Sequence, residues 1–423
     1  MIERNKHYLA VEKSVERSPI TAIMGPRQCG KTTLARCFGE RHQAHYFDLE
    51  SVVDQRRLQN PELMLSTLDG VIILDEIQHQ PKLFNLLRVL VDRPENKSRF
   101  VVLGSASPQL IKQSSETLAG RVEFIELSGF DLSEIEDLHN LWLRGGFPLS
   151  YLANTEDDSI AWREAFIRTF LERDIPALGI SIASGAIRRF WTMLAHYHGQ
   201  TWNGSDLGRS LGLNDKTVRS YLDILSATFM VRQLQPWHEN IRKRQVKSPK
   251  IYFRDSGILH SLLGISDYHQ LSGNPKIGAS WEGFALEQTL VILRPADAYY
   301  WSTYSGAEVD LFFIKNGKRH GVEFKYSEAP KSTKSMHVAI EDLHLDHLWV
   351  VYPGKDSYPL TEKIKVIPLQ AMISPERSFD SAQEPYGVTV HSHSLRILVS
   401  SAQFPGTAFR LLSRTVFGYR STD

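Results

Sequence analysis

The chain has little cysteine, no long apolar run and almost no net charge, and each shortage excludes a class of protein. Two of its 423 residues are cysteines, Cys29 and Cys37, which is too few for a disulfide framework and forms no metal motif. Basic residues outnumber acidic ones by 49 to 48, so no overall charge attracts nucleic acid or a membrane surface. No uncharged apolar stretch could span a bilayer, and no signal peptide follows Met1. We therefore expect a cytoplasmic protein without a membrane partner.

What the sequence does contain is a phosphate-binding loop. Residues 25–32 match the pattern G-x-x-x-x-G-K-T, with an apolar strand before them and a helix after them. Such a loop turns its backbone N–H groups toward the phosphates of a nucleotide, while its lysine adds positive charge and its threonine hydroxyl can hold Mg²⁺. The predicted nucleotide-binding residues are Gly25, Pro26, Arg27, Gln28, Cys29, Gly30, Lys31, Thr32 and Thr33.

Two further apolar strands end in polar side chains. Residues 71–74 lead into Asp75 and Glu76, and residues 100–104 lead into Ser105. Asp75 would bind Mg²⁺ or its water ligand, Glu76 would polarise the attacking water, and Ser105 would sense the terminal phosphate or the water. Additional strands at 45–49 and 122–127, with helices between, predict a parallel α/β sheet whose ligand lies at the carboxyl ends of the strands.

These motifs resemble those of the AAA+ ATPases over residues 18–150. The resemblance implies hydrolysis of ATP with Mg²⁺ and a homo-oligomer in which an arginine of one subunit completes the site of the next. Arg121 is our candidate for that arginine, and Arg144 for a sensor within the same chain, although ordinary surface arginine is the alternative for each. The predicted catalytic residues here are Lys31, Glu76, Ser105 and Arg121, with Thr32 and Asp75 at the metal.

The middle of the chain is helix-rich and contains a helix-turn-helix pattern. Residues 205–225 read as two short helices around a turn, the second capped by Asn214 or Asp215. A wing would begin near Met230 and lead into a basic run. This run comprises Arg242, Lys243, Arg244, Lys247 and Lys250. Two interpretations stay open, namely contact with DNA phosphates and a solvated loop on a module that binds protein.

Residues 308–326 predict a β-hairpin around Asn316-Gly317. If Lys315 lies opposite Lys318, Asp310 lies opposite Glu323 and Glu308 opposite Lys325. This register puts the four charged residues on one face and the apolar set on the other, namely Val309, Leu311, Val322 and Phe324. Facing carboxylates repel unless a cation lies between them, so we expect a divalent metal at Asp310 and Glu323. A half-buried hairpin with a charged outer face is the alternative.

The order Glu282, Asp310, Glu323, Lys325 resembles the PD-(D/E)XK nuclease superfamily, with Val309 in place of its usual proline. The resemblance implies a restriction-endonuclease-like α/β fold, Glu323 and Lys325 in catalysis, and Glu282, Asp310 and Glu323 as metal ligands. To about residue 372, the chain resembles a prokaryotic family of predicted ATPases with winged-helix and nuclease-like parts. The supporting motifs are residues 118–121, 145–148 and 250–257 and the hairpin acids.

The sequence therefore predicts a P-loop AAA+ domain at 1–150, a helical and winged-helix region at 151–255, a nuclease-like domain at 256–373 and a tail of unassigned role at 374–423. The expected function is an ATPase that uses ATP and Mg²⁺ and acts on DNA, with a nuclease-like domain that either cleaves DNA or only binds it. The alternative is a protein-remodelling or regulatory switch without nuclease activity.

Overall fold

The structure, a computed structural model, describes residues 2–105, 117–180 and 182–373. The predicted tail at 374–423 lies outside the described residues. The strands are β1 (Ile20–Gly25), β2 (His45–Asp48), β3 (Gly70–Asp75), β4 (Ser98–Ser105), β5 (Val122–Glu126), β6 (Gln200–Thr201), β7 (Val231–Pro236), β8 (Lys250–Phe253), β9 (Tyr299–Ser302), β10 (Glu308–Lys315), β11 (Lys318–Phe324), β12 (His347–Tyr352), β13 (Tyr358–Pro359) and β14 (Ile364–Pro368).

The described helices surround two sheets. They are α1 (Asn5–Arg17), α2 (Lys31–His42), α3 (Val52–Arg57), α4 (Pro61–Ser66), α5 (Leu83–Val91), α6 (Leu138–Arg144), α7 (Pro148–Tyr151), α8 (Glu156–Thr169), α9 (Ile175–Ala177), α10 (Ser184–His196), α11 (Gly204–Leu211), α12 (Asp215–Ala227), α13 (Ser256–Leu262), α14 (Tyr268–Ser272), α15 (Ile277–Leu293) and α16 (Lys334–Asp342), with a π-helical turn at Phe170–Asp174 and short 3₁₀ turns at Ile77–His79 and Leu369–Ile373. No helix in the described part of the chain is long and apolar enough to cross a membrane.

The N-terminal sheet is parallel and has the order β2-β3-β4-β1-β5. The central strands β3 and β4 carry continuous apolar runs at 71–74 and 100–103, because helices cover both faces of a parallel sheet. The edge strands β2 and β5 include polar residues. Leu74 and Val102 pack into the core on one face, and Ile23 and Leu103 into the core on the other. The five strands predicted from the sequence are confirmed. Their carboxyl ends meet at one edge of the sheet, where the loop at 25–32 and the acids Asp75 and Glu76 lie.

The second sheet is mixed and has nine strands in the order β13-β14-β12-β11-β10-β9-β7-β8-β6. The wing strands β7 and β8 join the C-terminal strands through the parallel pair of β7 with β9. The sheet therefore runs across the predicted boundary at residue 255, although the domain boundaries themselves stay predictions.

The helix-turn-helix pattern forms as the sequence predicts. Helix α11 ends at Gly212, whose positive φ of 67° suits glycine. The Asn214 side chain then caps α12 by accepting a hydrogen bond from the Thr217 N–H at 2.9 Å. Val218 and Leu222 of α12 are fully buried in the core of this helical module. The helical module, which comprises α7 to α12, contacts the carboxyl edge of the N-terminal sheet through the ion pair of Arg27 with Asp174.

The predicted hairpin register is correct, since Lys315 pairs with Lys318 and Leu311 with Val322. The prediction for its faces was wrong for Val309. The pairing of β10 with β9 is irregular between Val309 and Phe312, and Val309 packs under α16, whereas Leu311 packs under α15. A bulge of this kind reverses the alternation of side chains along a strand.

Candidate functional site

The phosphate-binding loop connects the buried end of β1 to α2, and its geometry demands glycine. A Cβ on Gly25 would lie 2.0 Å from the Leu127 carbonyl oxygen, and Gly30 has a φ of 98°. No side chain caps the N-terminus of α2, so the first N–H groups of this helix are available to an anion. This backbone fits the phosphates of a nucleotide.

Lys31 is the first residue of α2 and is 5% exposed. Its ammonium group donates hydrogen bonds to the backbone carbonyls of Gly25, at 3.1 Å, and Pro26, at 2.8 Å. Both acceptors belong to the loop itself. The Lys31 side chain therefore folds back over the loop, where a phosphate could replace these carbonyls as its partner.

Asp75 and Glu76 stand at the carboxyl end of β3. Asp75 is 2% exposed, accepts a hydrogen bond from the Tyr46 hydroxyl, and accepts another from the Glu76 N–H at 2.9 Å. Burial and the neighbouring Asp75 raise the pKa of Tyr46. Glu76 has a left-handed φ of 55°, a conformation that non-glycine residues rarely adopt outside constrained sites. Gln78 donates a hydrogen bond to its carboxylate.

Ser105 ends β4, the strand between β1 and β3. Its register partner is Gly25, the first residue of the loop. The backbone of Ser105 thus lies beside the loop, and its side chain lies outside the described residues.

The two arginine candidates have partners of their own. The exposed Arg121 guanidinium contacts the Asp92 carboxylate at 2.6 and 2.9 Å. Arg144 binds Glu156 and the carbonyls of Tyr151 and Ala153 at the start of the helical module. Both guanidinium groups therefore already have partners within their own chain.

A cavity of about 420 Å³ opens between the phosphate-binding loop and the helical module. Its sheet side is formed by Pro26 and Arg27 of the loop and by Gln78 and His79 just after β3. Its far side is formed mainly by residues 170–179. The sequence did not predict residues 170–179 as part of the site, because only the tertiary structure brings them close to the loop.

The predicted C-terminal acids converge around two lysines. Lys250 of β8, 4% exposed, lies 3.2 Å from Asp310 Oδ1 and 3.3 Å from Glu282 Oε1, and it also contacts Glu308. The Lys325 ammonium lies 2.6 Å from Glu323 Oε2. The sequence places Lys250 in a basic run that either contacts DNA or is solvated, but the structure buries it as a partner of the acids.

Burial changes how these groups titrate. Desolvation and the charge of Asp310 raise the pKa of Glu282 to about 7 and that of Glu323 to about 8. Burial by itself would lower the pKa of Lys250, but Tyr252 and the surrounding acids raise it well above its usual value. Glu282 and Glu323 are therefore protonated more readily than ordinary carboxyl groups, whereas Lys250 keeps its positive charge.

A group of potential metal ligands lies elsewhere. Within the described ranges, His7, Asp131 and Glu134 have ligand atoms all within 4.8 Å of one another. Arg294 donates to His7 Nδ1 at 3.2 Å, so Nε2 carries the ring proton, and Arg4 binds Glu134 at 2.8 Å. His7 Nε2 lies 3.5 Å from Asp131 Oδ2, and the two guanidinium groups beside this cluster repel a further cation.

The surface predicted to meet DNA carries charges of both signs. Lys216 and Arg219 lie on the outer face of α12 with Asp215 and Asp223, and Arg219 pairs with Asp223 at 3.2 Å. In the basic run, Lys243 pairs with Asp342 at 2.7 Å. Paired cations neutralise fewer phosphates.

Comparison with known proteins divides the chain into three parts. Residues 17–136 match the AAA domain family, residues 135–269 match a domain of unknown function (DUF8612), and residues 277–372 match another (DUF4143). Among solved structures, the chain is similar to the Walker-type ATPase PABY2304 of Pyrococcus abyssi. That match has a TM-score of 0.45 and 13% identity, over 62% of this chain and 96% of the other.

Two curated mycobacterial proteins are much more similar. The uncharacterized proteins Rv2008c of Mycobacterium tuberculosis and Mb2031c of Mycobacterium bovis are each 48% identical over 376 residues, which cover 88% of this chain and 85% of theirs. An AAA domain with a P-loop implies ATP binding, usually with Mg²⁺. The chain therefore belongs to the same family as these mycobacterial proteins, with an AAA-type P-loop ATPase domain at its N-terminus, then a helical region and a mixed nine-stranded sheet.

Proposed function

We propose that this protein hydrolyses ATP at the carboxyl edge of the parallel sheet and that the nucleotide cycle moves the helical module against that edge. One observation carries the proposal. The phosphate-binding loop, the acid pair Asp75–Glu76 and the end of β4 at Ser105 come from three adjacent strands and meet at one edge. Ligands of open α/β sheets bind at such an edge.

Each residue has a distinct task in this proposal. The N–H groups of the loop and Lys31 bind the phosphates, and Thr32 and Asp75 hold Mg²⁺. The metal ion, when bound, neutralises charge that develops on the phosphate oxygens. Glu76 orients and deprotonates the attacking water, and Ser105 contacts the terminal phosphate. A role for Arg121 in the site of a second subunit stays a prediction.

Calorimetry of nucleotide binding tests the proposal. With Mg²⁺ present, we expect the wild-type chain to bind ATP and ADP saturably. Lys31→Ala should bind both at least about tenfold more weakly, because a charged hydrogen-bond donor to phosphate contributes that much. Lys13→Ala, an exposed substitution on α1, serves as the control. Absence of binding by the wild-type chain to either nucleotide would overturn the proposal.

The second candidate function is metal-dependent cleavage of DNA by the C-terminal sheet. It is favoured by the ion pair of Lys325 with Glu323 and by the hydrogen bond from the Phe324 N–H to Asp310 at 3.0 Å. These contacts bring Asp310, Glu323 and Lys325 close together, and Glu282 is joined to Asp310 through their shared partner Lys250. We propose that a divalent cation binds at Asp310 and Glu323, with Glu282 as the third acid and Lys325 stabilising charge on the phosphate.

A nicking assay on supercoiled DNA separates this candidate from its alternatives. We expect Mg²⁺- or Mn²⁺-dependent nicking that falls about 100-fold in Lys325→Ala and persists in Lys31→Ala. Lys331→Ala, an exposed lysine, is the matched control. DNA binding without nicking would indicate a domain that only binds DNA. Neither binding nor nicking would favour an ATP-dependent switch that acts on protein.

A further inference from the structure

The loop arginine Arg27 forms an ion pair with the helical module. Its guanidinium contacts the carboxylate of Asp174, a residue 147 positions later in the chain. A second, longer contact of 3.6 Å joins it to Glu50. The side chains of Arg27 and Asp174 are 29% and 12% exposed, so both can still be reached from the cavity that they line. An acid of the helical module thus neutralises a cation of the phosphate-binding loop.

Arg173, the neighbour of Asp174, lines the same cavity but has no such partner. Its side chain is exposed, and it forms no ion pair or hydrogen bond within the ranges that the structure describes. Both residues belong to the π-helical turn Phe170–Asp174 at the end of α8. Turns of this kind are rare and occur often at functional sites. The turn brings a free guanidinium and a paired carboxylate to the wall that faces the loop.

A nucleotide bound at the loop would compete with Asp174. Phosphate oxygens accept paired hydrogen bonds from a guanidinium as well as a carboxylate does, and they carry more charge. We propose that Arg27 and Arg173 bind the terminal phosphate of ATP, and that Asp174 holds Arg27 in the absence of nucleotide and is displaced when ATP binds. This inference rests on the proposed ATP site and adds the residues that distinguish ATP from ADP.

Displacement of Asp174 would shift the π-helical turn, and packed side chains would transmit that shift to the helix-turn-helix. Phe170, at the other end of the π-helical turn, is buried against Trp191 of α10 with ring centroids 5.2 Å apart. Thr228 and Met230, which follow α12, line the same cavity. A close-packed core transmits such a shift instead of absorbing it. Nucleotide state at the loop is thereby coupled to the position of the helical module.

Two substitutions with opposite expected effects test the inference. Asp174→Asn removes the competing charge, so we expect the Kd for Mg·ATP to fall about two- to fivefold, the range of a partly exposed ion pair. Arg173→Ala removes a phosphate ligand, so the Kd for ATP should rise about tenfold while the Kd for ADP changes less than twofold. Asp157→Asn and Arg188→Ala, both exposed residues of the same module, are the matched controls.

Hydrogen exchange of residues 170–180 gives an independent readout. ATP should raise exchange there in the wild-type chain, and Asp174→Asn should show raised exchange without nucleotide. Weaker ATP binding by Asp174→Asn, or an equal loss of ATP and ADP binding in Arg173→Ala, would overturn the inference. If the wild-type chain binds both nucleotides but the variants match their controls, this inference fails while the ATP site stands. If the wild-type chain binds neither, the ATP site itself fails.

Discussion

Replacement of Glu76 by glutamine is expected to lower kcat for ATP hydrolysis by about 100- to 10,000-fold, the range that a general base contributes. Glutamine keeps the shape of the side chain and its contact with Gln78 but cannot accept a proton from water. Glu76 has a left-handed φ of 55°, and the acid assigned to the metal is its neighbour Asp75. The substitution should therefore suppress ATP hydrolysis while ATP binding stays nearly unchanged.

Binding and turnover have to be measured together for this prediction. Calorimetry with Mg·ATP should give a Kd within about threefold of the wild-type value, whereas steady-state phosphate release should nearly stop. Glu16→Gln, an exposed acid on α1, should behave as wild type. A variant that turns over ATP at the wild-type rate would show that another group activates the water.

The sequence was sufficient to predict the P-loop domain and its parallel sheet because the signals for them are local. A glycine loop followed by Lys31 and Thr32, and an apolar strand followed by Asp75, each lie within ten residues. The alternation of these strands with helices predicts a parallel sheet. The hairpin register was equally local, since Asn316-Gly317 fixes it. Short-range chemistry of this kind can be predicted without knowledge of the rest of the fold.

The contacts that long-range packing creates could not be predicted. Nothing near Arg27 in the sequence indicates Asp174 as its partner. Nothing near Val309 indicates the irregular pairing with β9 that turns it to the other core. Lys250 did leave a signal, because it precedes the apolar residues 251–253 in a strand pattern, and a lysine that begins a buried strand needs a nearby acid. Its position in a basic run favoured an exposed side chain instead.

Replacement of Lys250 by methionine is expected to lower the free energy of unfolding by about 3–5 kcal/mol, the usual consequence of removing one partner from a buried ion pair. The substitution keeps the length of the side chain but leaves the carboxylates of Glu282, Glu308 and Asp310 without their shared cation. Urea unfolding followed by tryptophan fluorescence measures the loss, since Trp281 is buried beside Glu282. Lys247→Met, an exposed substitution in the same basic run, should change stability little.

The pH dependence of this loss has a definite sign. A buried acid whose pKa is raised stabilises the folded state while it is protonated, and that contribution is lost as the pH rises through the raised pKa. Glu282 has a pKa raised to about 7 even beside Lys250. Without the lysine, its ionisation becomes still less favourable. The variant should therefore be closest to wild type near pH 5 and furthest from it near pH 8.

A double substitution distinguishes unpaired charge from lost packing as the cause. Glu282→Gln added to Lys250→Met removes one of the uncompensated charges and keeps its shape, and the Tyr252 hydroxyl, 2.6 Å from Glu282 Oε1, can still donate to the amide oxygen. The double variant should therefore be more stable than Lys250→Met at pH 8. The effects of the two substitutions on the free energy of unfolding are then not additive, as expected for residues in direct contact. Equal stability of the two variants would assign the loss to packing around β8. Wild-type stability of Lys250→Met would show that the acids are protonated and need no cation.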